Sequence, residues 1–208
     1  MDSGEAESLA VALYKRLRLD PSEPVSTFKL ATRWLGPDTV IRPVTPMTSP
    51  AMTFVLHGER RIAIKRQVDA RYAGFYVGHE LGHILLDEIG YRENDVEQSA
   101  DRIGAALVCP RPATVALYKC FGRDFEAIAD ELGCTETLVA LRLAEVRGLT
   151  RAVVTPRRVY VRSDESFVWG SEADVRVLAK EKPQRPGISR AKLRDDPRRI
   201  VIDIDETG

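Results

Sequence analysis

The chain has 208 residues, 44% of them hydrophobic, enough for one large domain or a domain with a small appendage. Its 31 basic and 31 acidic side chains cancel to a formal charge of +0. No global field therefore gathers nucleic acid or draws the protein to an anionic membrane, and any DNA contact has to be local. No apolar run approaches the ~20 residues of a membrane span, and the acidic opening MDSGEAESLA is unlike a signal peptide, so a cytoplasmic location is expected.

In chain order, Leu9, Leu13 and Leu17 recur every four residues within Glu5 to Leu19. They predict a helix with one apolar stripe, suited to core packing, which Asp20-Pro21 ends. Thr27 to Trp34 predicts a second, shorter helix closed by Gly36-Pro37. From Val40 to Pro50 the prolines require extended chain or turns. Thr53 to Leu56 and Arg61 to Ile64 flank His57-Gly58-Glu59-Arg60 and predict a hairpin.

The period then changes. Arg71 to Ile89 has helical length, no proline and a stop at Gly90, and a further helix is predicted from Glu93 to Val108, ending at Cys109-Pro110. Phe121 to Arg147 reads as two helices broken at Leu132-Gly133-Cys134-Thr135, with the Thr135 hydroxyl capping the second, which is a helix-turn-helix outline. Ala152 to Val154, Val159 to Val161 and Phe167 to Trp169 predict short strands. Lys180 to Arg199 carries too few apolar residues for a core and is expected to be irregular. Cys109, Cys120 and Cys134 lack the spacing of zinc knuckles or redox pairs and are read as reduced structural thiols.

The chemistry-bearing pattern lies in the long helix, at His79-Glu80-Leu81-Gly82-His83. Helical residues four apart lie ~40° apart around the axis and ~6 Å along it, so both imidazoles project toward a common point where one zinc ion can bridge them. Glu80 starts from a neighbouring angle, from which it reaches a water molecule at the metal rather than the metal itself. A catalytic zinc also needs a third protein ligand and an open fourth position. Asp87 lies ~12 Å along the axis from His79, too far to share an ion. Glu97 is better placed, because Gly90 lets the next helix fold back alongside. Asp101, four residues further on, faces the same side and can hold the second ring nitrogen of His79. The bland alternative is that Glu97 and Asp101 are two solvated acids on a helix face.

From Glu5 to Gly148 the sequence resembles the ImmA/IrrE metallo-endopeptidases. The resemblance rests on the opening helix, the strand Arg61-Ile62-Ala63-Ile64, the run His79-Glu80-Leu81-Gly82-His83-Ile84-Leu85-Leu86, and Glu97-x-x-Ala100-Asp101 followed by Ala105-Ala106-Leu107-Val108-Cys109-Pro110. The family often has asparagine where Asp101 stands and methionine where Cys109 stands. The resemblance implies a zinc endopeptidase with Glu97 as third ligand, acting on transcriptional repressors of phage-like elements or stress-response genes.

The expected fold is α+β. Residues 1–120 would form a mainly helical zincin-like peptidase domain with a small antiparallel sheet, 121–150 a helix-turn-helix-like segment packed on it, and 151–208 short strands and an irregular tail. Zinc would lower the pKa of a water toward ~7, letting Glu80 serve as general base and then acid. Arg61 to Lys65 is the expected strand for docking an extended peptide, and His57, Tyr72, Tyr76 and Tyr91 are the conceivable additional donors to the oxyanion. The competing reading is a DNA-binding or protein-binding regulator with a non-catalytic zinc. It would use Glu136 to Leu143 as recognition helix, but Glu136 and Glu145 against only Arg142 and Arg147 make that helix poorly suited to phosphates.

Overall fold

The structure, a computed structural model, describes residues 1–43 and 47–147 and the backbone of four strands at 150–154, 159–162, 188–192 and 200–204. The chain divides into two compact units: Met1–Ala116 with Asp130–Cys134, and Leu117–Ala129 with Thr135–Gly208.

The first unit opens with α1 (Ser3–Arg16). Asp2 accepts from the Glu5 amide while the Glu5 carboxylate accepts from the Asp2 amide, a reciprocal cap that starts this helix earlier than its leucine stripe suggests. Ala6, Ala10, Leu13 and Tyr14 form its buried face. The helix stops at Arg16 rather than Leu19 because Arg18 turns into the left-handed region, with φ 54°. Then α2 (Thr27–Leu35) begins on the Ser26 hydroxyl and ends at Gly36.

Strands β1 (Val40–Ile41), β2 (Ala51–Leu56) and β3 (Glu59–Ile64) form a sheet in the order β1-β3-β2. His57 and Gly58 have φ of 52° and 81°, the positive pair a two-residue hairpin turn needs to match strand twist. β3 pairs antiparallel with β2 and parallel with β1, so the sheet is mixed rather than purely antiparallel. Because β3 is hydrogen-bonded on both sides, Arg61 to Lys65 cannot dock an added strand. Among the described residues the sheet's edges are β1 and β2, and of these the six-residue β2 is the longer.

The long helix α3 (Ala70–Glu88) starts at Asp69, whose carboxylate accepts from the Arg71 amide at 2.9 Å. At its far end Tyr91 N donates to Leu86 O (2.9 Å) and Gly90 N to Asp87 O (3.1 Å), a paired C-terminal closure that requires the φ of 70° found at Gly90. The chain turns back into α4 (Val96–Val108). Asp95 ties this corner together, accepting from the Tyr91 hydroxyl (2.6 Å), the Met1 ammonium (3.0 Å) and the Ser99 hydroxyl (3.2 Å). The Tyr91 and ammonium hydrogen bonds hold the Asp95 carboxyl down at about 2. The core of this unit gathers Leu13, Tyr14, Leu30, Ile62, Ile64, Leu81, Ile84, Leu86, Ile103 and Leu107, drawn from both helix pairs and the sheet.

Two further helices follow the expected outline, but a third was not anticipated. α5 (Arg111–Phe121) fills a stretch to which the sequence assigns no element, and takes as its last residue the Phe121 expected to open the next helix. Its Pro112 stands at the second helical position, where an amide would have no intrahelical acceptor, so proline there marks a helix start rather than a break. α6 (Phe125–Leu132) and α7 (Glu136–Arg147) come next, α7 capped by Thr135, whose hydroxyl accepts from Leu138 N at 3.2 Å. Val139, Ala140, Leu141, Arg142, Leu143, Ala144 and Val146 of α7 are all buried, and Arg142 is paired with Glu145 at 3.1 Å. Such a helix has no free basic face for a DNA groove.

In the second unit β4 (Thr150–Val154), β5 (Val159–Arg162), β6 (Ile188–Lys192) and β7 (Ile200–Ile204) form an antiparallel sheet in the order β5-β4-β7-β6. β4 and β5 fall on two predicted strands. β6 corrects the expectation of an irregular 180–199: pairing along β7 supplies backbone hydrogen bonds that its polar composition does not announce. The strand expected at Phe167 to Trp169 and the segment carrying Arg194, Arg198 and Arg199 lie outside the described residues. Among the described residues no helix is long and apolar enough to cross a membrane.

Gly90→Ala should cost about 1–2 kcal/mol of stability, the penalty for a Cβ in the left-handed region, measured by urea denaturation.

Candidate metal centre

The site begins with glycine. Gly78 and Gly82 lie four apart on α3, on one face, and meet Ala100 and Gly104 of α4. A Cβ at Gly82 would stand 2.8 Å from Ala100 O, and one at Gly104 2.7 Å from His79 N and 3.0 Å from Gly78 C. The two backbones are in contact with no room for a methyl group. Each interior glycine costs roughly 0.5–1 kcal/mol of helix propensity relative to alanine, so this approach is maintained against local preference. On α4, Glu97, Ala100, Asp101 and Gly104 share a face, and the contact at Ala100 and Gly104 brings the two acids to the histidines of α3.

The resulting geometry is tight. His79 Nε2 lies 3.0 Å from His83 Nε2 and 3.5 Å from Glu97 Oε2, while His83 Nε2 lies 3.4 Å from Glu97 Oε1. Tetrahedral ligands with bonds of about 2.05 Å sit about 3.3 Å from one another, so these separations, the two Glu97 contacts being made by different oxygens, are of the size a tetrahedral metal site needs. The ligand atoms all lie within 4.8 Å of one another, and two imidazoles with a carboxylate are a donor set that zinc accepts. Asp101 Oδ1 is 2.8 Å from His79 Nδ1, which leaves Nε2 to face the cluster. Burial opposes the charged imidazolium of His79, but the Asp101 hydrogen bond and charge, with Glu80 and Glu97, outweigh it and raise the pKa above its ordinary value.

Glu80 is buried, 7% exposed, and its Oε2 accepts a 2.7 Å hydrogen bond from the Thr53 hydroxyl on β2. His79, Glu80, His83, Glu97 and Asp101 together line a cleft of about 560 Å³, with Met52, Thr53 and Tyr76 on its walls. Asp87 and Glu88 are engaged elsewhere, with Arg60 and Arg92 and with Arg16 respectively. Of the four side chains considered as oxyanion donors, Tyr76 lines the cleft. Tyr72 lines a neighbouring cavity, Tyr91 is bound to Asp95, and His57 occupies the β2–β3 turn.

Two contributors escaped the sequence reading. The Gly78-x-x-x-Gly82 spacing with Ala100 and Gly104 downstream was a usable signal of close helix packing. The Thr53–Glu80 contact joins residues far apart in the chain and had no local signature.

A family model described as the IrrE N-terminal-like domain, of the M78 peptidase class, matches residues 33–144. The chain belongs to this family. The match runs from α2 into α7 and spans both histidines and both acids, so the IrrE-like chain carries a protease-like domain with a candidate His/His/Glu metal site. Among solved structures it is similar to a Mycobacterium tuberculosis transcriptional regulator, with a TM-score of 0.61 and 13% identity over 97% of this chain and 76% of that one. At that identity the likeness concerns the fold. No curated protein matches the sequence.

Gly104→Ala in the IrrE-like chain should destabilise it by about 1–3 kcal/mol, because the methyl meets backbone that cannot rotate aside. Urea denaturation measures the loss, and an unchanged midpoint would contradict the close approach.

Proposed function

We propose that this IrrE-like domain is a zinc-dependent endopeptidase in which His79, His83 and Glu97 hold the ion, Asp101 orients His79, and Glu80 is the general base. The observation that carries this reading is the triangle of His79 Nε2, His83 Nε2 and Glu97, with mutual distances of 3.0–3.5 Å, beside a buried carboxylate on an open cleft. Zinc bound there would make a water molecule more acidic and polarise a peptide carbonyl.

The chain's own residues supply the rest. Glu80 takes the proton of the attacking water and delivers it to the departing amine, acting first as base and then as acid. The open edge of β2, whose Met52 and Thr53 border the cleft, offers main-chain hydrogen bonds to an extended substrate. Exposed Met52, Val55 and Leu56 on that strand favour apolar side chains in the bound peptide. Tyr76, which lines the cleft, would be the tyrosine that donates to the developing oxyanion.

For the substrate we propose a helix-turn-helix transcriptional repressor of a phage-like element or stress regulon, met in the cytoplasm. The family resemblance supports this choice, and the name of the solved transcriptional regulator of similar fold is consistent with it. The buried α7 argues against DNA itself as the partner.

Replacing His79, His83 or Glu97 by alanine should abolish stoichiometric zinc binding, measured by metal analysis after dialysis. Asp101→Ala should weaken zinc binding about 10–100-fold in a competition titration. Glu80→Gln should keep zinc and reduce cleavage about 10²–10⁴-fold when the protein is incubated with a repressor encoded beside it. Discrete fragments from the unaltered chain, together with undiminished turnover in Glu80→Gln, would reject the assigned base.

A further inference from the structure

We infer that Thr53 is a positioning residue for Glu80, fixing the carboxylate of the base from the strand that receives the substrate; this rests on the peptidase reading above. Glu80 is buried, yet among the described residues the Thr53 hydroxyl is its one hydrogen-bond donor, at 2.7 Å. A buried carboxylate is costly to leave without a donor, and a hydrogen bond to a charged acceptor is among the stronger ones. The terminal torsion of a glutamate is broad and roughly two-fold, so packing against the stem does not decide where its oxygens point. The Thr53 hydroxyl decides it by holding Oε2 and leaving Oε1 for proton transfer.

The donor is itself rigidly mounted. Thr53 lies opposite Ile62 in the β2–β3 ladder, and Ile62 is fully buried in the central strand. A side chain carried on such a strand holds its partner more closely than one on a loop. The same β2 residue also lines the cleft, beside the edge where an extended peptide would add. One strand thus serves two purposes: its edge aligns the peptide and its hydroxyl aligns the base, so the two are set in a common frame. Misplacing a catalytic group by a fraction of an ångström lowers the rate without lowering substrate affinity, which separates this role from a binding one.

The test compares Thr53→Val, which keeps the β-branched shape and removes the hydroxyl, with Thr53→Ser, which keeps the hydroxyl, both in the full zinc-loaded chain. Acetohydroxamic acid is the probe, a small chelator that binds zinc and donates a hydrogen bond to the neighbouring base, followed by calorimetry. Thr53→Val should weaken its binding about tenfold and Thr53→Ser about twofold or less, with zinc affinity equal in all three proteins. With a cleaved peptide, Thr53→Val should lower kcat about tenfold at unchanged KM, and Thr53→Ser should restore it. In a Glu80→Gln background, Thr53→Val should add no further loss to either quantity. Wild-type behaviour of Thr53→Val, or failure of Thr53→Ser to rescue, overturns the inference while leaving the peptidase reading intact. Wild-type behaviour of Glu80→Gln in both measurements would instead remove the base that Thr53 is held to position.

Discussion

The structure depends on the contact between the backbones of α3 and α4. Gly78, Gly82, Ala100 and Gly104 allow the two helices to meet with no side chain between them, and a methyl group at Gly82 or Gly104 would fall within 3 Å of the opposite main chain. Ordinary helix pairs sit 8–10 Å apart, held by the side chains at their contact. Here the small residues remove that spacer on one face. Glu97 and Asp101 are thereby brought within reach of imidazoles that begin on another helix.

The corner between the helices serves the same end. Gly90 closes α3 in the left-handed conformation, and Asp95 gathers Tyr91, Ser99 and the chain's ammonium around the start of α4. Both devices fix the register of α4, and register decides whether Glu97 or one of its neighbours faces His79 and His83. Asp101, one turn on, then engages His79 Nδ1 and sets which nitrogen faces the cluster. The sheet contributes from the other side, through Thr53 at Glu80 and through an edge strand beside the cleft. Helix packing thus places the candidate set of His79, His83 and Glu97, and strand pairing places the surroundings of Glu80.

Much of this was legible from local pattern. The i, i+4 spacing of His79 and His83 states its own geometry once a helix is granted. Gly90 announced the turn that makes Glu97 reachable, and the hairpin read around His57-Gly58-Glu59-Arg60 is present, with the turn shortened to His57-Gly58 because Glu59 and Arg60 belong to β3. What was not legible is non-local. Nothing near Arg61 to Ile64 reveals that β1 pairs on its far side, so the open edge was assigned to the wrong strand of the hairpin. Thr53 and Glu80 meet only because β2 lies against α3. α5 was not anticipated: Cys109-Pro110 reads as the stop of the preceding helix, although proline is tolerated in a first helical turn. β6 was missed because its strand character comes from its partner β7, not from its own composition.

The central claim is that one zinc ion is held by two imidazoles and one carboxylate. Zinc K-edge X-ray absorption on the stoichiometrically loaded chain tests this most directly, since nitrogen and oxygen ligands lie at about 2.0–2.2 Å and thiolate sulfur at about 2.3 Å. The account predicts a shell of nitrogen and oxygen only, with the multiple scattering of two imidazoles, and a change in that shell when Glu97 is replaced by alanine. A sulfur shell, or a spectrum indifferent to Glu97, would contradict it.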